Sequence, residues 1–179
     1  MRSGLIVISY VTLLLALGIL VAVCGDAREP TLGEYSQQFA AIFEEVEERF
    51  EAKEKEFGLD DDSSPRVDLG EEQIEATREL LDAIASILRD ALDQLEEIPP
   101  PAVVDQAHKE LLDAGAELVT IIDGFTDRVV DVESASEFEE LLDDSGLEAA
   151  SDRFDQACFA VQDIVDDNGI DVDLRCEQE

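Results

Sequence analysis

Four stretches of the chain repeat apolar residues at intervals of three and four, apart from one step of seven in each of the first two, and this spacing places side chains on one face of an α-helix. The first stripe comprises Leu32, Tyr35, Phe39, Ile42, Val46, Phe50 and Phe57. The second comprises Ile74, Leu81, Ile84, Leu88, Ala91, Leu95 and Ile98. The third comprises Val104, Ala107, Leu111, Ala114, Leu118, Ile121 and Phe125, and the fourth Leu147, Ala150, Phe154, Ala157, Val161 and Ile164. This pattern predicts four amphipathic helices.

Local signals at the ends of these stripes support the same division. Thr31 can cap the first helix, and Glu34 completes a capping box with it. The proline run 99–101 ends the second helix, because proline cannot continue the hydrogen-bond ladder, and its last residue can begin the third. Ser136 predicts a further helix start, and Gly146 is a candidate interruption within that last element.

Helices of similar length joined by short connections pack as antiparallel neighbours. We therefore expect an all-α fold, an up-down four-helix bundle formed by residues 31–179. Beyond Asn168 and Gly169, which suit the left-handed turn that follows a helix, residues 170–176 alternate apolar and polar positions. This alternation predicts a short, half-buried, extended C-terminal tail.

Cys158 and Cys176 are close enough in the predicted fold to form a disulfide. The helix from Cys158 to its end at Asn168 covers about 15 Å, and an extended tail can span roughly 23 Å in the opposite direction. The bond would close a short loop and stabilise the fold by roughly 3 kcal/mol. The chain has three cysteines, so this pair leaves Cys24 over.

Residues 5–23 form an uncharged apolar run, with Arg2 before it and Asp26 after it. The length of this run approaches the ~20 residues that span a bilayer, and the charge asymmetry places the following chain outside. The residues Val21-Ala22-Val23-Cys24 resemble the lipobox of bacterial lipoproteins. That resemblance implies cleavage before Cys24 and acylation of its thiol.

Val23 stands where the lipobox pattern has Gly, Ala or Ser, and two alternatives stay open beside it. Residues 5–23 could remain as an uncleaved anchor helix, or an ordinary signal peptide could be removed. The predicted organisation is a signal or anchor over 1–24, a short linker over 25–30 and an acidic ectodomain over 31–179. Either acylation of Cys24 or an uncleaved anchor helix would tether the ectodomain to the cell membrane on its extracytoplasmic side.

The formal charge of −34, from 46 carboxylates against 12 Lys and Arg, narrows the choice of partners. Such a surface repels phosphate over a Debye length of about 8–10 Å at physiological salt, which argues against nucleic acid or anionic lipid as a direct partner. Basic proteins and cations remain as candidate partners. A further hypothesis is weak calcium binding at Asp171, at Asp173 or at the run Asp60-Asp61-Asp62, although the twelve-residue pattern of a calcium loop is not met.

The sequence contains no motif that assigns an enzymatic reaction. His108 is the only histidine, and its charged neighbours Lys109 and Glu110 predict a position at the surface or its boundary. With no cysteine or second histidine nearby it is a poor metal ligand. No phosphate-binding loop or hydrolase motif is present, so no cofactor, metal or catalytic residue is predicted.

The stretch from Cys158 to Cys176, the Pro99-Pro100 turn and the exported N-terminus together resemble a loose group of bacterial surface lipoproteins with helical ectodomains. The resemblance implies no activity. The leading hypothesis is a non-enzymatic, membrane-tethered bundle with a binding or envelope structural role. A lipoprotein that binds a cation or small ligand is the alternative, followed by an enzyme that uses unrecognised carboxylate chemistry.

Overall fold

A computed structural model describes residues 30–57, 71–132 and 134–176. Within these ranges the chain is all-helical. The helices are α1 (Leu32–Phe57), α2 (Glu71–Glu96), α3 (Asp105–Val129), α4 (Ala135–Asp143) and α5 (Leu147–Asp167). The all-α bundle predicted from the apolar stripes is confirmed.

The long helices alternate in direction around a common core. Its main cluster joins the first half of α1, the end of α2, the beginning of α3 and the end of α5. That combination requires an up-down-up-down order. Helix α3 is central, because it packs against α2, α4 and α5, whereas α1 packs mainly against α2 and contacts α5 at few places.

The start of α1 agrees with the sequence signals, whereas the starts of α3 and α4 differ from them. At α1, the Thr31 amide donates to Glu34 at 2.8 Å, and the Glu34 amide donates to the Thr31 hydroxyl at 3.2 Å, which confirms the capping box. The prediction that Pro101 begins the third helix is wrong. Residues 102–104 form a turn in which the Val104 amide donates to the Pro101 carbonyl at 2.9 Å, and α3 follows.

The last predicted element is two helices rather than one. Its start at Ser136 is a wrong prediction, since the cap of α4 is Ser134, whose hydroxyl accepts from the Glu137 amide at 3.3 Å. Gly146 interrupts the element as expected. Its φ of 76° lies in the left-handed region that glycine adopts without steric cost, and α5 begins at the next residue.

The chain after α5 turns back through Gly169, which has a φ of 73°, and continues as the predicted extended tail over residues 170–176. Ile170, Val172 and Leu174 point toward the core, and Asp171 and Asp173 point outward. A Cβ atom on Gly33 would lie 3.9 Å from Ile170, so the tail begins beside the start of α1. The tail therefore lies between α1 and α5.

Candidate ligand-binding cavity

The tail is fastened to α5 by a covalent bond and by one glutamine side chain. Cys158 on α5 and Cys176 at the end of the tail form a disulfide with a Cα–Cα distance of 5.6 Å, as the sequence predicted. The Leu174 amide donates to Gln162 Oε1 at 2.7 Å, and Gln162 Nε2 donates to the Val172 carbonyl at 3.0 Å. These bonds hold Leu174 fully buried in the main core cluster.

Arg175 connects the same tail to α1. Its φ of 59° is in the left-handed region, which is uncommon for a residue with a side chain. The guanidinium pairs with Glu47 and lies 3.6 Å from Glu44, both on α1. The tail thus connects the two helices of the bundle that have few direct contacts with each other.

An apolar cavity of about 230 Å³ lies beside Cys176, the last described residue of the tail. Both disulfide cysteines line it, so the disulfide forms part of its wall. The largest apolar side chains of the lining are Phe43, Phe50, Phe154, Leu88, Leu92 and Leu118. The cavity is therefore bounded by α1, α2, α3, α5 and the end of the tail.

Aromatic rings and a glycine shape the cavity wall. Phe43 stacks on Phe39 with ring centroids 4.8 Å apart, and on its other side lies nearly parallel to Phe154 at 6.3 Å. Opposite, a Cβ atom on Gly115 would lie 2.5 Å from Leu92 and 3.2 Å from Phe154. The absence of a side chain at Gly115 lets both of these lining residues pack against the backbone of α3.

Two charged residues, Asp155 and Arg175, complete the described lining of the cavity. Neither is without a partner: Arg175 pairs with Glu47, and Asp155 also takes part in an interaction within the protein. The cavity accordingly presents hydrocarbon, aromatic and sulfur surface, and its charged groups are already engaged.

A second internal feature is a buried polar pair between α1 and α3. The Tyr35 hydroxyl and His108 Nδ1 share a hydrogen bond of 2.9 Å, and His108 is only 4% exposed. Burial raises the pKa of Tyr35 and lowers the pKa of His108. The negative charge of nearby Asp105 offsets part of the shift of the His108 pKa. Both side chains are therefore uncharged at neutral pH.

The predicted surface or boundary position of His108 is wrong for an identifiable reason. The predicted stripe on α3 runs through Ala107, Ala114 and Ile121, but burial extends to the next column of the helix. That column contains His108, Gly115, Val119, Ile122 and Thr126. His108 packs against Tyr35 of α1, and α3 as a whole also packs against α2 and α5, so a single stripe underestimates its buried face.

The lining residues that the stripes missed share the same position relative to them. Phe43, Leu92 and Gly115 each follow a predicted or buried stripe residue by one position. The adjacent apolar pairs Ile42-Phe43 and Ala91-Leu92 are the signal that could have indicated a wider apolar face. Nothing in the sequence indicates that these faces leave a gap between them.

Charged side chains on the described surface form ion pairs between neighbouring helices. Arg89 of α2 pairs with Asp123 of α3, and this hydrogen bond raises the pKa of the arginine. Arg153 of α5 lies 2.6 Å from Glu117 of α3. Such exposed pairs contribute about 0–1 kcal/mol each, so they add little to the stability of the bundle.

Within the described ranges, no three Asp, Glu, His or Cys side chains are grouped so that they could hold a metal ion. Asp173 accepts a hydrogen bond from the Arg175 amide at 2.8 Å. Calcium binding at Asp171 and Asp173 stays a prediction, and the run Asp60-Asp61-Asp62 lies outside the described residues.

The predicted lipidation site Cys24 and the signal or anchor over residues 1–24 lie outside the described residues. So does the linker, apart from Pro30. Among the helices that the structure does describe, none combines the length and the apolar character needed to cross a bilayer.

Comparisons with protein-family profiles, with curated proteins and with solved structures find no match to this chain.

Proposed function

We propose that this protein is a membrane-tethered, extracytoplasmic binding protein whose helical bundle takes up a small ligand. One observation supports both the place and the role: the apolar cavity is walled in part by the Cys158–Cys176 disulfide. The disulfide supports an extracytoplasmic location, and the cavity supports a binding role.

The extracytoplasmic location follows from the chemistry of the disulfide together with the N-terminal sequence. Structural disulfides persist in oxidising compartments and are rare where thiols are kept reduced. The uncharged run over residues 5–23, preceded by Arg2, supplies an export or anchor signal. Acylation at Cys24 would then leave Cys158 and Cys176 as the only cysteines available to pair, as they do in the structure.

A binding role is favoured over catalysis by the composition of the cavity. Ligand sites are concave and mostly apolar with a few polar groups, whereas acid–base or nucleophilic catalysis needs a reactive group within hydrogen-bond reach of a base or acid. The described lining contains only Asp155 and Arg175 as titratable side chains, and the arginine is paired with Glu47. The acidic surface further favours a ligand or partner that is not a polyanion.

The location is tested by the intact mass of the protein extracted from the membranes of a bacterium that produces the full-length chain. We expect the mass of residues 24–179 plus acyl chains, with two thiols that react with an alkylating reagent only after reduction. The variant Cys24→Ser is the matched control and should lose the acyl mass while keeping the disulfide.

Two other masses would be informative. The unmodified full-length mass in the membrane fraction would replace lipidation by an anchor helix and keep the extracytoplasmic location. Recovery in the cytosol with Cys158 and Cys176 freely alkylated would contradict the proposed location.

A further inference from the structure

We propose that the cavity binds an uncharged apolar molecule of about the size of two fused aromatic rings. This assignment rests on the binding role proposed above and specifies its ligand class.

The volume sets the size of the molecule. A protein cavity of about 150 Å³ lined by Leu, Ile and Phe stays dry and binds benzene. The cavity beside Cys176 measures about 230 Å³, roughly half as large again. A single aromatic ring would leave part of this space empty, whereas a bicyclic molecule would fill it.

The lining sets the polarity of the molecule. Phe43, Phe50 and Phe154 offer ring surfaces, with the leucines of α2 and α3 between them. Aromatic guests gain from offset or edge contacts with such rings, and disulfide sulfur also packs favourably against them. A polar molecule would surrender hydrogen bonds to water without recovering them from this wall.

The charged residues of the lining disfavour an ionic guest. A carboxylate would have to displace Glu47 from the Arg175 guanidinium, against a formal protein charge of −34. An ammonium would compete for Asp155, which already takes part in another interaction. An uncharged molecule avoids both costs.

The cavity is also accessible from solvent. Phe43, Val46, Phe50 and Phe154 are only partly buried, although each lines the cavity, and they mark its opening between α1 and α5. Contacts between these two helices are few. A guest that covers these partly exposed apolar side chains removes their surface from water, which lowers the free energy of the complex.

The test is hydrogen–deuterium exchange measured by mass spectrometry on the full-length protein in nanodiscs, with naphthalene as the probe. Peptides covering residues 43–50 and 154–158 should exchange about tenfold more slowly when naphthalene is present at ten times its Kd. Peptides from α4 should not change. This readout is local, so partitioning of naphthalene into lipid does not mimic it.

Two variants show whether the protection comes from the cavity. Val46→Trp places an indole in the cavity from its rim and should abolish the protection, whereas Val130→Trp adds an indole at an exposed position and should preserve it. If Val46→Trp exchanges rapidly throughout the core without naphthalene, Gly115→Ala replaces it. That methyl group forces Leu92 and Phe154 into the cavity and should reduce the protection at least severalfold.

Probes with the same ring system test the absence of charge. Protection by 1-naphthoate or by 1-naphthylmethylammonium at lower concentration than naphthalene would overturn the assignment, as would no protection at the solubility limit of naphthalene. A membrane-bound, disulfide-linked protein that gives this result would lose only the ligand assignment. Free thiols in the cytosol would refute the proposed location, whatever the exchange data show.

Discussion

The two halves of helix α1 carry the same apolar stripe but differ in burial. The first half buries Tyr35, Ser36, Phe39 and Ile42. The rings of Tyr35 and Phe39 are fully inaccessible to solvent. Beyond Ile42 no residue of α1 is fully buried, although Val46, Phe50 and Phe57 continue the stripe. Sequence periodicity therefore predicts which face of a helix turns inward, but not how deeply that face is covered.

The difference comes from the C-terminal tail. The tail begins beside Gly33 and its last described contacts with α1 are those of Arg175 with Glu44 and Glu47. The described tail residues fill the space between α1 and α5 along the first half of α1. Next to Cys176, the last of them, the described residues enclose the cavity lined by Phe43 and Phe50.

The largest predicted effect contrasts one phenylalanine from each half of α1. Phe39→Ala should lower the free energy of unfolding by about 3–5 kcal/mol, since it leaves a void in a closed core. Phe50→Ala should cost about 1 kcal/mol or less, since its ring already borders open space and little new cavity is created. Urea unfolding of the full-length variants measures both values.

Equal losses for the two variants would contradict this comparison, because they would mean that the second half of α1 is as tightly packed as the first. Val103→Ala provides a baseline for an exposed apolar side chain, as Val103 is 52% accessible. Its effect should lie within about 0.5 kcal/mol of zero.

The second prediction concerns the bond that holds the tail in place. Replacing both cysteines, Cys158→Ser with Cys176→Ser, should lower the free energy of unfolding by roughly 3 kcal/mol, because the unfolded chain regains the entropy of an open loop. Amide exchange should accelerate in residues 170–176 and in the first half of α1, which the tail covers. Unchanged exchange there would show that the hydrogen bonds of Gln162 suffice to hold the tail.

The third prediction tests the buried polar pair at the closed end of the bundle. Tyr35→Phe removes the hydroxyl that bonds to His108 and leaves Nδ1 buried without that partner, at a cost of about 1–3 kcal/mol. Thr120→Val is the matched control, because it removes a hydroxyl that bonds only to a carbonyl within α3 on the exposed side. A loss in Tyr35→Phe no greater than that in the control would count against the pair as a stabilising contact.

Much of the fold could be predicted from local signals. The capping box at Thr31, the left-handed turn at Gly169 and the alternation over residues 170–176 each depend on neighbours in sequence, and the structure confirms all three. The Cys158–Cys176 bond could also be predicted, because it requires only the length of the helix after Cys158 and the length that the extended tail can span.

The candidate site could not be predicted, because it depends on how different segments meet. His108 packs against Tyr35 of α1, a contact between distant segments that no stripe on α3 itself reveals. The cavity depends on how the disulfide places residues 170–176 relative to α1 and α5. Its lining residues Phe43 and Leu92 look in the sequence like ordinary boundary positions, and only the packing of several segments brings them to one wall.

The smallest predicted effect is a pH dependence from His108. Burial lowers its pKa from the ordinary 6.5, so below that pH the unfolded chain binds a proton that the folded chain resists. Stability is therefore full above pH 6.5 and declines as the pH falls toward the lowered pKa. Between pH 7.5 and 5.5 the loss from this one group is at most about 1.4 kcal/mol.

His108→Gln isolates this contribution, because the amide can still bond to Tyr35 but does not titrate. Carboxylates also begin to titrate toward the acid end of this range, so the informative quantity is the difference between the wild type and the variant, in which their common contribution cancels. Urea unfolding at several pH values should show the wild type losing stability relative to His108→Gln as the pH falls. Parallel curves would mean that the imidazole is protonated in the folded state as readily as in the unfolded chain, and that this end of the bundle is less closed to water than the comparison of the two halves of α1 requires.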